Sequence, residues 1–179
     1  MPYYRRARVP GASYFFTVVS EGRRPILTDA TIRAALRRAI CEVRAEMPFR
    51  IDGWVLLPDH MHVIWTLPEG DADYSTRWKL IKGKVTHECG NAYLQPDYLS
   101  DRHRTEGSAT LWQKRFWEHL LRNEGDFSRH LDYLHGNPLK HGLVDRVGDW
   151  PWSSFHRWLK QGAYPAAWAG GQDDLRRAE

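Results

Sequence analysis

The chain is poor in cysteine: its 179 residues contain two, Cys41 and Cys89, which stand far apart. No Cys-x-x-Cys spacing is present, so the sequence predicts neither a zinc knuckle nor a disulfide framework. Two isolated thiols fit a reducing compartment. No apolar run approaches the length of a membrane span, and the run at 14–19 is too short for the core of a signal peptide. These absences predict a cytoplasmic protein without membrane contact.

Aromatic residues, in contrast, are abundant, with nine Trp, eight Tyr and six Phe. Such an excess indicates either a heavy core or platforms on which bases stack. The charge is unevenly placed, since residues 1–50 hold ten Lys and Arg against four Asp and Glu. A basic N-terminal part suits a polyanion such as nucleic acid, although an Arg-rich solvated surface accounts for the same count.

The pattern of apolar residues predicts elements in the order β-α-β-β-α-β-α, followed by a short aromatic helix. The predicted strands cover 13–19, 49–57, 60–67 and the later half of 111–122, and the predicted helices cover 29–47, 75–89, 127–137 and 155–158. Residues 91–110 are predicted to form a long loop. Thr28 and Ser75 are the predicted helix caps, and Asn137 is a predicted helix end because it precedes Pro138. This order matches a ferredoxin-like, RRM-like α+β fold in which helices flank an antiparallel sheet.

His60 and His62 lie one residue apart in the predicted strand 60–67. Side chains of a strand alternate between its faces, so both imidazoles point the same way. Two imidazoles on one face make up most of a simple metal site, because histidine is the commonest metal ligand in proteins. A hydrogen-bonded histidine pair beside the Pro58-Asp59 turn explains the same two residues without a metal.

Tyr133 and Asn137 stand four residues apart in the last long helix and therefore share a face. An amide oxygen is a suitable third ligand beside two imidazoles for Mg²⁺ or Mn²⁺, and a phenol near such an ion can act as a covalent nucleophile. Taken singly, Tyr133 also fits a core position. The sequence identifies no general base, and for the flanking His130 and His135 a structural role is the simpler interpretation.

Basic side chains near the N-terminus and on the second predicted helix are candidates for contact with phosphates. These candidates are Arg5, Arg6, Arg8, Lys79 and Lys82. The arginines on the outer face of the first predicted helix are interpreted first as solvated and only second as phosphate contacts; they are Arg33, Arg37, Arg38 and Arg44.

Three segments, taken in order, carry a family resemblance: Leu57-Pro-Asp-His-Met-His62, Trp112-Gln-Lys-Arg-Phe-Trp-Glu-His119 and Asp132-Tyr-Leu-His-Gly-Asn-Pro-Leu-Lys-His-Gly142. With this combination the chain resembles the REP-associated tyrosine transposases, which are single-tyrosine HUH (His-hydrophobic-His) enzymes. The similarity extends from about Tyr3 to Gly170. The three motifs together are far more specific than any one of them.

The resemblance implies a single catalytic HUH domain over 1–170 with a C-terminal aromatic helix, and a flexible polar tail over 171–179. It implies that His60, His62 and Asn137 bind a divalent metal ion, Mg²⁺ or Mn²⁺. Tyr133 would attack a DNA phosphate reversibly, giving a 5′-phosphotyrosine link and a free 3′-hydroxyl. The implied partners are REP elements, imperfect palindromes that fold as single-stranded DNA hairpins. We expect a monomer, since the sequence shows no long exposed apolar seam. The implied DNA substrate places it at a bacterial nucleoid.

Two other classes stay open from the residues alone. A non-catalytic nucleic-acid-binding module of ferredoxin-like fold would use the aromatic and basic residues, but it would have no need for the four site residues together, and the sequence has no RNP motif. A histidine-based metal nuclease would activate a bound water and would keep its activity when Tyr133 is replaced.

Overall fold

A computed structural model describes residues 6–95 and 111–170. The strands in this part of the chain are β1 (Ser13–Val19), β2 (Arg50–Leu56), β3 (His60–Thr66) and β4 (Trp117–Leu120). Its α-helices are α1 (Ala30–Glu46), α2 (Tyr74–Cys89), α3 (Glu124–Lys140) and α4 (Phe155–Lys160). Arg5, most of the predicted loop (96–110) and the predicted tail (171–179) lie outside the described residues.

The four strands form one antiparallel sheet in the order β2-β3-β1-β4. This order and the β-α-β-β-α-β succession are those of the ferredoxin-like α+β fold, which confirms the predicted class. β3 is central, as its apolar composition predicts. No helix within the described residues is both long and apolar enough to cross a bilayer.

The alternation of side chains along β3 separates two cores. Met61, Val63 and Trp65 face α1 and α2, and the ring of Trp65 stacks on Trp78 of α2 with centroids 4.2 Å apart. Ile64 faces the opposite way and joins a second core under α3. His60 and His62 share this second face, so the candidate site lies between the sheet and α3.

Both predicted helix caps are wrong. Asp29, not Thr28, precedes α1, because the carbonyl of Asp29 accepts the first helical hydrogen bond, from the backbone N–H of Arg33. Asp73, not Ser75, caps α2, since its carboxylate accepts from the backbone N–H of Thr76. The aspartate that precedes α1 lies one position after the predicted cap, and the aspartate that caps α2 lies two positions before it. Asp is preferred at such positions as much as Ser or Thr, so the sequence alone does not choose between them.

The predicted bounds of α3 are also wrong. The helix begins at Glu124, capped by the side chain of Asn123, and it does not end at Asn137 but continues through Pro138 to Lys140. A residue before proline is disfavoured in the α conformation. Here tertiary packing prevails, because Asn137 and Pro138 are both buried and the carbonyl of Asn137 still accepts a hydrogen bond from His141.

Gly53 allows α3 to pack closely on β2. A Cβ built at this position would lie 2.6 Å from the Cδ1 of Leu131, well inside van der Waals contact. The glycine also adjoins the irregularity in the β2–β3 register. The missing side chain therefore sets how near α3 approaches the sheet.

Arg77 of α2 is a buried cation, with only 1% of the residue exposed. Its guanidinium donates to the carbonyl oxygens of Met47, Pro48 and Asp73 and forms a 2.6 Å ion pair with Asp71. The planar fork of donors can satisfy all four acceptors at once. Arg77 therefore ties α2 to the segment that leads from α1 into β2.

We expect Arg77→Met to lower the free energy of unfolding by about 3 kcal/mol, because it leaves three carbonyls and a carboxylate without their donor. Urea denaturation measures the change. The control is Lys79→Met, an exposed lysine on the same helix, for which about 0.5 kcal/mol or less is expected. Equal unfolding midpoints for both variants would contradict the structural role of Arg77.

Candidate active site between β3 and α3

The two histidines of β3 are buried and adjacent. His60 is 2% exposed, His62 is fully buried, and their ring centroids are 4.8 Å apart. Both face α3, as the His-x-His spacing predicts. The structure thus brings the predicted histidine pair together on one face.

A single stripe of α3 covers the histidine pair. Tyr133 and Asn137 lie four residues apart on one side of the helix, and His141, the residue just after its end, follows at the same spacing. The ring of Tyr133 lies 5.4 Å from that of His62, and the ring of His141 lies 5.3 Å from that of His60. Because the two ends of the stripe contact the two histidines, Asn137 in the middle faces the pair.

The Nδ1 atom of each imidazole lies within hydrogen-bond distance of a protein oxygen. The Nδ1 of His60 is 2.6 Å from a carboxylate oxygen of Asp59, and the Nδ1 of His62 is 2.9 Å from the hydroxyl of Thr17. In metal sites, a liganding histidine usually donates its second ring N–H to such an oxygen, which fixes the ring and leaves the other nitrogen for the ion. Asp59 and Thr17 therefore act as orienting partners for the two rings.

The inner polar atoms of the site have no protein partner. Among the described residues, the buried Nε2 atoms of His60 and His62 make no hydrogen bond, and neither does the side-chain amide of Asn137. Buried polar groups are nearly always satisfied, and each orphan costs about 1–3 kcal/mol. Two imidazole nitrogens and an amide oxygen on facing elements are a donor set that fits a divalent cation.

The charges around the site keep these donors available. Burial lowers the pKa of His62 well below its usual value, and the neighbouring His60, His141 and Lys140 lower it further. His62 is therefore neutral and retains a lone pair. Burial alone would raise the pKa of Asp59, but hydrogen bonds and charge from His60 and Arg23 lower it to about 2. Asp59 is thus an ionised acceptor for His60.

Tyr133 lies beneath its neighbours and is only 8% exposed. Its ring meets Phe15 of β1 edge-on, and the ammonium of Lys140 lies 5.1 Å from the ring centroid. A cation at this distance is attracted to the electron-rich face of an aromatic ring. Lys140 and His141 lie beside the site only because α3 continues past Pro138. The sequence analysis, which ends this helix at Asn137, therefore does not identify either residue.

The predicted phosphate contacts divide into two groups. Arg6 and Lys82 have partners within the protein: Arg6 lies over the ring of Phe116 at 4.0 Å, and Lys82 donates to the carbonyls of Gln113 and Lys114. Burial lowers the pKa of Lys82 to about 8. Arg8 and Lys79 are exposed.

A second polar cluster, which the sequence does not reveal, joins β4 to α3. His119, Asp126 and His130 bring one potential ligand atom each within 4.8 Å of the others. Asp126 already accepts from His119 and from the backbone N–H of Arg122, and the two imidazoles stack at 4.6 Å. Hydrogen bonding and stacking account for this cluster without an ion.

His135, on the far side of α3, is fully buried, and both its ring nitrogens have partners. They lie 2.8 Å from the hydroxyl of Ser154 and 3.1 Å from the hydroxyl of Tyr164, which in turn donates to Asp132. Burial, together with Arg157 and His156, lowers the pKa of His135 to about 3. His135 therefore links α3 to the C-terminal segment as a neutral ring.

Comparison with known proteins gives close relatives over the whole chain. A REP-associated tyrosine transposase of Escherichia coli (strain K12) is 45% identical over 179 residues, covering 100% of this chain and 98% of the relative. A Haemophilus influenzae relative that carries the same family name is 41% identical over 179 residues, covering 98% of this chain and 97% of the relative. No protein-family model matches the chain.

The fold also matches a solved structure of a REP-associated tyrosine transposase bound to a REP hairpin. The TM-score is 0.82 at 45% sequence identity, and the match covers 100% of this chain and 98% of that one.

We expect His135→Gln to reduce the pH dependence of stability. The unfolded histidine binds a proton below about pH 6.5, whereas the folded one does so only near pH 3, so the unfolded state holds more protons between these values. The free energy of unfolding therefore rises with pH in this window, by up to about 1.4 kcal/mol per pH unit for one such group, and the contribution of His135 is fully present above it.

Urea unfolding at a series of pH values should show a shallower dependence of the free energy of unfolding on pH for His135→Gln. The control is His87→Gln, which removes an exposed histidine; an unchanged slope in His135→Gln would contradict the expectation.

Proposed function

This chain belongs to the REP-associated tyrosine transposases, and we propose that it cuts and rejoins single-stranded DNA at REP hairpins, with Tyr133 as the nucleophile and His60, His62 and Asn137 as ligands of a divalent metal ion. One observation carries the proposal: the buried Nε2 atoms of the two histidines and the buried amide of Asn137 have no partner among the described residues, and the ring of Tyr133 lies 5.4 Å from that of His62. A structural histidine pair would have its nitrogens satisfied.

The proposed ion is Mg²⁺ or Mn²⁺, as the family resemblance implies. Both ions take oxygen ligands such as the amide oxygen of Asn137 and keep open positions for phosphate oxygens. When bound, the ion supplies a Lewis acid that polarises a phosphoryl oxygen. Asp59 and Thr17 would hold the two rings in the tautomer that leaves Nε2 unprotonated.

The reacting group is the phenolic oxygen of Tyr133. It forms a bond to phosphorus while the bond from phosphorus to the 3′-oxygen breaks, which leaves a 5′-phosphotyrosine and a 3′-hydroxyl. The phenol loses one proton and the departing 3′-oxygen gains one, so the step is balanced and reversible. Lys140, 5.1 Å from the tyrosine ring centroid, favours the phenolate electrostatically.

Contacts between basic side chains and DNA phosphates are expected to supply most of the affinity for the substrate. The exposed Arg8 and Lys79 are the stronger candidates for phosphate contact, while Arg6 and Lys82 have partners inside the protein and are better placed to shape the surface. For Arg5 the proposal rests on the sequence alone. We place the protein at the nucleoid as a monomer, consistent with chromosomal hairpins as its substrate.

Tyr133→Phe is expected to abolish covalent chemistry while leaving hairpin affinity within about twofold, because it removes one hydroxyl and keeps the ring packing. A hairpin strand labelled at its 3′ end reports the protein adduct on a denaturing gel, and the same strand labelled at its 5′ end reports the released 3′-hydroxyl fragment. Wild type with Mn²⁺ should give both products.

The same gel separates the alternatives. Cutting that survives in Tyr133→Phe without an adduct would favour a water-activating nuclease. Binding by the wild type with neither product under Mg²⁺ or Mn²⁺ would favour a non-catalytic module.

Metal binding can be measured without DNA. We expect Mn²⁺ to raise the melting temperature of the wild type, by an amount equivalent to about 2.7 kcal/mol when the ion is at 100 times its dissociation constant. His62→Gln and Asn137→Ala should lose this shift, since each removes a donor, whereas His87→Gln should keep it. Equal shifts in all four proteins would place the ion elsewhere, and the histidines of the second cluster would then be tested in the same way.

A further inference from the structure

A groove runs between α1 and the edge strand β2, on the face of the sheet opposite to the candidate active site. Its volume is about 370 Å³, within the range of about 300–1,000 Å³ that is usual for ligand sites. The side chains that line it include Arg33, Arg37, Ile40, Trp54, Met61 and Trp152. The groove is therefore apolar and aromatic inside, with two arginines among its lining residues.

The aromatic walls of the groove are partly exposed. Trp54 on β2 and Trp152 on the C-terminal segment are both half-buried, in contrast to the fully buried Trp65 of the core. The guanidinium of Arg33 lies 4.8 Å from the centroid of the Trp152 ring. Indole rings with an adjoining guanidinium form the kind of surface on which a nucleobase stacks.

The positive charge at the groove is available to a ligand. Arg37 is exposed, and within residues 6–95 and 111–170 it has no hydrogen bond or ion pair. Its neighbour Arg38, by contrast, is paired with Glu88. An unneutralised arginine beside an apolar cleft is complementary to a ligand that has a flat apolar part and an anionic part, as a nucleotide of DNA has.

The groove reaches toward the end of the sheet that carries His60, because Leu56 and Met61 are among its lining residues. The N-terminal approach to α1 is fastened to the β2–β3 turn, because the N–H of Leu27 donates to the carbonyl of Pro58 at 2.7 Å. At the same end, the carbonyl of Trp152 accepts from the N–H of Leu56, while the nearby Trp150 belongs to the core under α3. The C-terminal segment therefore passes around the β2 edge, from the active-site face to the groove.

We propose that this groove binds an unpaired base of the single-stranded DNA that flanks the hairpin, with the base against Trp54 and Trp152 and the adjoining phosphates on Arg33 and Arg37. The assignment rests on the proposed function, since it takes the substrate to be single-stranded DNA. The strand would leave the active site around the 57–59 turn and enter the groove at the β2 edge.

The test compares two labelled DNA substrates by fluorescence anisotropy: a hairpin with a short single-stranded flank, and the same hairpin with no flank. Arg37→Gln and Trp54→Leu should each weaken binding of the flanked hairpin about tenfold, the scale of one stacked base, and should leave the bare hairpin unchanged. The control is Arg44→Gln, which removes the same charge from α1 outside the groove. Because Arg37 is exposed and unpaired among the described residues, its replacement tests the groove without disturbing the fold.

A second measurement locates the base directly. A flank that contains 5-bromodeoxyuridine is irradiated in complex with the full-length protein, and the cross-linked peptides are identified by mass spectrometry. Cross-links in the peptides that carry Trp54 or Trp152, lost in Trp54→Leu and Trp152→Leu respectively, are expected. Cross-links confined to other peptides would overturn the assignment.

Other outcomes are equally decisive. Variants that bind both substrates as the wild type does, or that weaken both equally, would overturn the proposal. A change of sedimentation coefficient in Trp54→Leu with unchanged DNA affinity would do so as well, since the groove would then be a contact between two copies of the chain. If these variants behave as proposed but the wild type forms no Tyr133 adduct, the groove stands and the proposed strand transfer fails.

Discussion

The candidate site depends on the continuation of α3 through Pro138. Four residues of helix rise by about 6 Å, so the stripe from Tyr133 to His141 is about 12 Å long. His60 and His62 are two strand residues apart, about 7 Å. The longer stripe therefore extends beyond the pair, and its middle residue, Asn137, lies on the side of α3 that faces the sheet. If the helix ended at Asn137, Lys140 and His141 would have no fixed place beside the histidines.

The sheet supplies the second half of this arrangement, because β3 has different surroundings on its two faces. One face carries the tryptophan core that fastens α1 and α2, and the other carries two imidazoles whose inner nitrogens have no protein partner. Such orphaned donors reduce stability. The hydrogen bonds of Asp59 and Thr17 hold the two imidazole rings in place, and the buried stack of Trp65 on Trp78 stabilises β3 from its other face.

Much of the fold could be predicted from local patterns. The period-two pattern of β3 correctly separates the two faces, and β1 has its predicted bounds. The errors arise where several local rules compete. Thr28 and Asp29 are nearly equivalent as caps, and the rule for a residue before proline takes no account of burial at Asn137. Thr17 could not be found, because its contact with His62 depends on the register between two strands far apart in the chain. The partners of Lys82 likewise lie more than thirty residues away.

The near burial of Tyr133 limits which molecules can reach its side chain. Only 8% of the residue is exposed, so a phosphate attacked by Tyr133, as proposed above, would have to enter the recess between the residues that cover it. A DNA duplex is stiff over a length of about 150 base pairs, and deforming a short stretch of it to fit such a recess costs about 1–6 kcal/mol. An unpaired strand can fold into the recess one nucleotide at a time. Selectivity for single strands would then follow from access alone, before any base is read.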